Sequence, residues 1–269
     1  MLDSIAKSII NNLINVMCIA VKSSAHNETG IKDLSGSLRY FSGCEFPFFN
    51  GVFNNYKNQA KEIKDNLPEI TQFFSEKNRP FIWWWTQPSE LPIEIKKELD
   101  DQNFQFLGEF SGVAAQLDQI RFNTHPDTIE IKCVDNNKDY KKFIEIICDV
   151  FQLPDSIKKD FEEMYKSYGF NGKFNHYLGF YAGEPVATLT SYRDEKILGL
   201  YNGATLPKTQ KKGLCSALIQ NAIKEAKNSG AEYAIAQLMA PGMAKGLTEK
   251  MGFKNYCRLL PFLKAPYLA

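Results

Sequence analysis

The stretch "TLPKTQKKGLCSALI", Thr205–Ile219, decides the fold, because an extended segment runs there through a basic loop into a helical pattern. Pro207 ends strand pairing, since its nitrogen has no hydrogen to donate. Gly213 allows the backbone to approach a bulky anion without a Cβ in the way. The first N–H groups of the following helix lack partners inside the helix and carry the positive end of its dipole. The stretch therefore predicts a phosphate-binding helix start, with charge from Lys211 and Lys212; the alternative is an ordinary surface loop with lysines.

The rest of the chain is electrostatically balanced. It has 269 residues, with 32 Lys+Arg against 31 Asp+Glu and a formal net charge of +1, which gives no reason to expect nucleic acid. We find no run approaching about 18 apolar residues and expect no membrane span. The N-terminal twenty residues are broken by Asn and Lys and indicate an amphipathic helix rather than a signal peptide. We expect a cytoplasmic protein.

The cysteines and histidines give no sign of a metal site. The six cysteines are scattered without a CxxC pair, which is typical of free thiols in a reducing compartment. Only three histidines are present, at 26, 125 and 176, and none lies near the cysteines at ligand spacing. We therefore expect no metal.

The second half of the chain alternates strands and helices. A polar segment with a proline, Ile120–Thr128, predicts a boundary, with one domain over 1–122 and another over 127–269. Period-two and helical spacings beyond it predict the order β-α-α-β-β-β-α-β-α-β. The strands fall at 128–134, 176–193 (a hairpin about "AGEP"), 197–206 and 231–239, followed by a last strand, and the helices at 139–151, 156–169, 213–228 and 243–250. This order indicates an α/β (α+β) fold with a mixed central sheet flanked by helices, and not a Rossmann unit.

The first half ends as the second half does. "FIWWWTQPSELPIEIKKELDDQNFQF" and "YAIAQLMAPGMAKGLTEKMGFKNY" both place a hydrophobic strand, a proline-bearing loop, a short helix and a further strand in order. This agreement predicts a diverged internal repeat. The alternative is chance similarity between two strand–helix–strand units.

Three motifs resemble those of the GNAT superfamily of acyl-CoA N-acyltransferases. Gln210-Lys-Lys-Gly213-Leu-Cys215 resembles motif A, Q/R-x-x-G-x-G/A, at a strand-to-helix junction. "LYNGATLP" (200–207) resembles the strand that holds pantetheine, and "LTEKMGF" (247–253) resembles the "LYEKLGF" signature. The resemblance covers about residues 128–269. It implies a GNAT fold with acetyl-CoA as cosubstrate, in tandem with a degenerate N-terminal copy.

The family resemblance also implies which residues hold the cosubstrate and how the acetyl group moves. Pantetheine is expected along the backbone of Ala204, Thr205 and Leu206. The pyrophosphate is expected at Gln210, Lys211, Lys212, Gly213, Leu214, Cys215 and Ser216. A neutral amine attacks the thioester directly, and a backbone N–H of the 197–206 strand stabilises the oxyanion. A base, often through water, removes the ammonium proton.

Two positions depart from the family pattern. Cys215 replaces the last Gly/Ala of motif A, which binding tolerates because only the backbone N–H is needed. Thr248 replaces the tyrosine that protonates the leaving CoA thiolate in many family members, and Thr is too weak an acid. Because a thiol has a pKa of ~8.5, the thiolate can leave near neutral pH; Tyr256 or water are the other candidates for proton donor.

The remaining candidates each have a structural alternative. Asn202 could orient water or substrate, or bond a local bulge. Glu184 lies in a hairpin turn and is expected to be solvated. His176 is expected at the surface rather than as a base, and Cys215 offers a thiol whose pKa a helix N-terminus would lower. Trp83–Trp85 place rings on both faces of a strand, as core and interface between the halves or as a substrate wall.

We therefore expect an acetyl-CoA-dependent N-acetyltransferase acting on an amine of a small molecule or peptide, as a monomer or homodimer, without nucleic-acid or membrane partners. The first alternative is a CoA-binding sensor without catalysis, which Thr248 and the unidentified base keep open. The second is an unrelated phosphate-binding scaffold.

Overall fold

The computed structural model describes residues 4–34, 37–54, 60–86, 90–122, 124–168, 172–240 and 243–266. The chain divides into two compact units. The first contains Met1–Gly112 and Tyr256–Ala269, and the second contains Val113–Asn255.

The first unit contains a mixed sheet with three helices. The helices are α1 (Ser4–Ser23), α2 (Ala60–Glu76) and α3 (Ile93–Asp101). The strands are β1 (Gly30–Asp33), β2 (Ser37–Phe41), β3 (Asn50–Asn54), β4 (Phe81–Trp85), β5 (Gln105–Phe106) and the start of β6 (Glu109–Gln116). Neighbouring strands follow the order β1-β2-β3-β4, and the pair β3–β4 is parallel. The last strand of the chain, β12 (Lys254–Lys264), pairs antiparallel with β4 and β5.

The three consecutive tryptophans fill the core of the first unit. Trp83 and Trp85 share one face of β4, with ring centroids 6.0 Å apart. Trp84 faces the other side, where it stacks on Phe53 and its Nε1 donates to the Tyr40 hydroxyl at 3.0 Å. All three side chains are at most 2% exposed. The prediction of rings on both faces is confirmed, and these rings are core of the first unit.

Helix α1 is the amphipathic helix that the sequence predicts. Its apolar positions repeat at helical spacing and are buried, from Ala6 and Ile9 to Ala20. Its mean hydropathy of 1.5 over an 18-residue window, of which half is buried in the protein, also satisfies the length and composition of a membrane span. The expectation that no segment is long and apolar enough to span a membrane is therefore wrong for α1. The core helix of a soluble protein also meets this criterion of length and composition.

The second unit has the predicted order of elements up to its last helix, and the predicted last strand, β12, lies mostly in the first unit. The second unit contains β7 (Ile129–Cys133), α4 (Asn137–Phe151), α5 (Asp155–Tyr168), β8 (Phe174–Tyr181), β9 (Glu184–Asp194), β10 (Ile197–Thr205), α6 (Leu214–Asn228), β11 (Tyr233–Ala240) and α7 (Met243–Met251). The strands neighbour one another in the order β11-β10-β9-β8-β7. The pair β10–β11 is parallel, and the other three pairs are antiparallel. The predicted mixed sheet flanked by helices is confirmed.

Helices cover both faces of the second unit's sheet. On β8, Gly179 lies against Leu214 and Leu218 of α6, where a Cβ would be 3.3 Å from each side chain. The His176 ring lies 5.0 Å from the ring of Phe143 in α4. Because successive residues of a strand point to opposite faces, α6 and α4 lie on opposite sides of the sheet.

The two compact units do not have the same limits as the two domains that the sequence predicts. Residues 113–122, placed at the end of the first domain by sequence, lie in the second compact unit. Residues 256–269, placed in the second domain, lie in the first unit. Domains over 1–122 and 127–269 stay a prediction about repeat organisation.

Candidate functional site

The parallel strands β10 and β11 part in the middle of the second unit's sheet. Their register runs from Ile197↔Tyr233 and ends at Leu200↔Ala236. Both strands continue, β10 to Thr205 and β11 to Ala240. Within the described ranges, β10 therefore has no ladder with β11 after Leu200.

A β-bulge reshapes β10 at the point where the strands part. On the other edge of β10, Tyr201 pairs with Thr190 and Ala204 pairs with Thr188, so three steps on β10 match two on β9. Asn202 has a φ of +52°. Thr188 Oγ1 donates to the Asn202 carbonyl at 2.9 Å, and Asn202 Nδ2 donates to Thr190 Oγ1 at 3.1 Å. The structure thus gives Asn202 a bond within the bulge.

Short hydrogen bonds shape the loop between β10 and α6. Leu206 N donates to Val186 O at 2.9 Å, and a single 3-10 turn, Pro207–Thr209, follows. Gln210 Nε2 donates back to Thr205 O at 3.2 Å. The side chain of Gln210 therefore ties the loop to the end of β10.

The start of α6 has the properties of an anion site. Lys211 has a φ of +63° and Gly213, at the N-cap, a φ of +92°. Ala217 N donates to Gly213 O at 2.9 Å and is the first helical N–H with an acceptor one turn back. The amides of Leu214, Cys215 and Ser216 precede it and have no acceptor within the helix. The ammonium of Lys212 lies 4.0 Å from the centroid of the Tyr181 ring.

Gly213 is constrained in a way that the sequence does not reveal. A Cβ on this residue would lie 3.4 Å from His125 Nδ1 and 3.8 Å from Ile129 Cδ1. The missing side chain would thus point at protein, so it is the positive φ that calls for glycine. His125 is a neighbour of the site that sequence reasoning missed; it belongs to a polar linker, and nothing in the linker pattern indicates where it packs.

Cys215 is not an activated thiol. Burial raises the pKa of the Cys215 thiol to about 11, although the residue is the second of α6. The expectation of a lowered pKa is wrong, because removal of the thiolate from water costs more than the helix dipole returns. Cys215 keeps only the predicted role of its backbone N–H.

His176 is not a surface residue. It is 1% exposed, and its Nδ1 lies 2.9 Å from Thr190 Oγ1. Burial lowers the pKa of His176 to about 4, so the imidazole is neutral at physiological pH. The expectation of a solvated histidine is wrong because position 176 falls on the face of β8 that α4 covers, while the prediction that it is not a base agrees with its burial.

The other candidates lie as follows. Thr248 is a buried residue of α7, and its carbonyl accepts from Phe253 N at 3.0 Å, which closes the helix. Tyr256 is half-buried and belongs to the first unit, on β12. Glu184 is exposed at the start of β9, as expected for a turn carboxylate.

The open strand edge, the bulge and the helix start follow one another along fifteen residues, from Tyr201 to Cys215. Together they offer backbone donors in line for an extended ligand that ends in a phosphate.

Comparisons with known proteins give the family. Residues 140–253 match the acetyltransferase (GNAT) family model. A GCN5-related N-acetyltransferase from Kribbella flavida superposes with a TM-score of 0.70 at 13% identity, covering 98% of this chain and 95% of that one. A functionally unknown conserved protein from Staphylococcus epidermidis gives 0.74 at 12% identity, covering 90% and 96%. A tandem GNAT protein from the clavulanic acid biosynthesis pathway gives 0.58 at 7% identity, covering 98% and 96%. No match was found among curated proteins.

Residues 140–253 therefore form an acetyltransferase domain of the GNAT family. The structural likeness extends over nearly the whole chain, so the N-terminal half is also GNAT-like in fold. The predictions of family and of a tandem fold are confirmed.

Proposed function

We propose that the protein transfers an acetyl group from acetyl-CoA directly to an amine of a small molecule or a peptide. The observation that carries this proposal is the parting of β10 and β11 beside the bulge, followed by the unpaired amides that open α6. The GNAT family of residues 140–253 supports an acetyltransferase in general terms. The proposal goes beyond the family in naming acetyl-CoA as the donor and an amine as the acceptor.

In this proposal the backbone binds most of the cosubstrate. The amides of Gly213–Ser216 accept the pyrophosphate, with Lys211 and Lys212 supplying charge beside them. The pantetheine arm lies along the backbone of Ala204–Leu206. A backbone N–H at the bulge donates to the thioester carbonyl oxygen, where negative charge develops as the amine attacks.

Proton transfers in this proposal do not need a strong acid. A CoA thiolate has a conjugate acid pKa of ~8.5 and can leave near neutral pH. Thr248 therefore does not act as the proton donor, and water supplies the proton. The ammonium form of the acceptor loses its proton to water, with Asn202 or substrate groups orienting that water, and the resulting neutral amine attacks the thioester. We further propose that the protein acts in the cytoplasm, as a monomer or homodimer and without a metal.

A CoA-binding sensor is the second candidate function. Thr248 favours it, because the position that carries a proton donor in many family members holds a buried, weakly acidic hydroxyl in this chain. As a sensor, the protein would bind CoA at the start of α6 and would not catalyse acetyl transfer.

Release of free CoA thiol from acetyl-CoA across a panel of amines tests the proposal. We expect thiol release that depends on both acetyl-CoA and one class of amine, with the acetylated product confirmed by mass. CoA binding measured by calorimetry without turnover on any amine would establish the sensor. Absence of CoA binding would remove both candidates.

A further inference from the structure

A row of buried polar side chains crosses three neighbouring strands and ends at the bulge. His176 on β8 is opposite Thr190 on β9, and Thr190 is opposite Tyr201, next to Asn202, on β10. His176 Nδ1 lies 2.9 Å from Thr190 Oγ1, which in turn accepts from Asn202 Nδ2 at 3.1 Å. His176 and Thr190 are each 1% exposed.

The hydrogen-bonding capacity of Thr190 makes it the centre of this row. A hydroxyl has one donor and two acceptor positions. Its oxygen accepts from the Asn202 amide, so its hydrogen is available to the neutral imidazole of His176. The rings of Phe143 and Phe174 lie 5.0 Å and 6.4 Å from that of His176 and confine it. The imidazole thereby holds the hydroxyl in one orientation.

The bulge needs such support because its conformation is unfavourable. Asn202 has a φ of +52°, a left-handed region that few residues other than glycine adopt and that asparagine tolerates better than most. Two hydroxyls hold it: Thr188 through the carbonyl oxygen and Thr190 through the side chain. Strained backbone persists where its surroundings over-determine it, and it is enriched at functional sites.

We propose that Thr190 is a positioning residue, which through Asn202 holds the bulge of β10 in the shape that presents its backbone donor to the thioester carbonyl. His176 acts one step further back, by orienting the Thr190 hydroxyl. The inference rests on the proposed acetyl transfer and names residues outside the family motifs quoted above. It separates two tasks, because the pyrophosphate is bound by Gly213–Ser216 and the carbonyl by the bulge.

Because pyrophosphate binding and carbonyl binding are separate, a change at the bulge should affect kcat and KM differently. An interaction made mainly in the transition state lowers kcat when it is lost, whereas one made equally in the ground state raises KM. Loss of the Thr190 hydroxyl displaces the bulge and leaves the helix start unchanged. We therefore expect kcat to fall while KM for acetyl-CoA and Kd for CoA stay within about threefold.

Thr190→Val tests this inference, because valine keeps the shape and β-branching of threonine and removes the hydroxyl. Thr190→Ser restores the hydroxyl in a smaller side chain. Ser191→Ala is the matched control: Ser191 is the next residue on β9, is also buried, and hydrogen-bonds to Tyr177 rather than to the bulge. We expect kcat to fall at least tenfold in Thr190→Val and to recover towards the wild-type value in Thr190→Ser. In Ser191→Ala we expect kcat to equal that of the wild type. Equal kcat in Thr190→Val and wild type, or equal losses in Thr190→Val and Ser191→Ala, would overturn the inference.

A binding measurement separates this inference from the proposed function. S-acetonyl-CoA, a ketone that cannot transfer its acyl group, offers the bulge a carbonyl oxygen that CoA lacks. We expect the wild type to bind it more tightly than CoA, and Thr190→Val to lose at least threefold of that preference with unchanged Kd for CoA. If the wild type prefers S-acetonyl-CoA but turns over no amine, the proposed acetyl transfer is wrong, and the bulge still binds a carbonyl oxygen. No preference in the wild type, or an equal preference in both proteins, would overturn the inference.

Discussion

The backbone of Gly213 has a φ of +92°, and its absent side chain would point at His125. Two consequences follow for substitution. Any side chain at this position must adopt the unfavourable left-handed conformation, and an aspartate also places a negative charge near the N–H groups that open the helix. Those are the groups assigned to the pyrophosphate.

Gly213→Asp is therefore expected to abolish CoA binding while the chain stays folded. The carboxylate repels a phosphate that approaches the start of the helix. Gly213→Ala is the control, since it has the same backbone strain without the charge and is expected to bind CoA measurably. Calorimetric titration compares the two, with circular dichroism to check folding; near-native affinity in Gly213→Asp refutes the placement of the pyrophosphate.

His176 gives a prediction about pH and stability. Burial lowers its pKa to about 4 in the folded protein, against about 6.5 in an unfolded chain. The unfolded state therefore binds more protons between these values, and the free energy of unfolding falls as the pH drops from about 6.5 towards 4, by at most about 1.4 kcal/mol per pH unit.

The measurement is urea unfolding at several pH values for the wild type and His176→Asn. We expect the variant to be less stable at pH 7 and its stability to depend less on pH between 6.5 and 4. An identical slope for both proteins would show that His176 does not contribute to the acid sensitivity.

Among the elements, α7 contains the main departure from the family signature. Thr248 is buried in this helix, where the related signature has a tyrosine. If leaving-group protonation is unimportant, Thr248→Val should leave kcat within about threefold, which is under ~1 kcal/mol of barrier. Steady-state kinetics with saturating acetyl-CoA measure it. A hundredfold fall in kcat, with no loss of thermal stability, would give the hydroxyl a direct role.

The elements themselves were predictable, but the geometry between them was not. Apolar spacing predicts β10 and α6 because a strand and a helix have different periods. The bulge at Asn202 and the early end of the β10–β11 ladder depend on register, which alternation along a single strand cannot show. The burial of His176 has the same origin, since the face that a strand residue occupies depends on which helices cover the sheet. Motif A was found because Gly213 and its neighbours are local in sequence.

For the whole molecule, the tandem fold raises the question of how many cosubstrates bind. The first unit has a glycine before its second helix, Gly51, but this residue lies within β3. A Cβ there would collide with the carbonyl of Ile82 and the hydroxyl of Tyr40, so the glycine serves sheet packing. Helix α2, which runs through Pro68, follows without the Q/R-x-x-G-x-G/A pattern; its approach over residues 55–59 lies outside the described residues.

We therefore expect the chain to bind one CoA. A helix dipole alone offers ~1 kcal/mol or less to a phosphate near the surface, which is too little to order a flexible cosubstrate. The first unit is expected to contribute no second cosubstrate site.

Titration of the full chain with CoA, for the wild type and Gly213→Asp in parallel, tests the central claim most directly. The account predicts a stoichiometry of one CoA per chain in the wild type and no detectable heat in the variant. Two CoA per chain, or a single site that survives the aspartate, would contradict the assignment of cosubstrate binding to the start of α6.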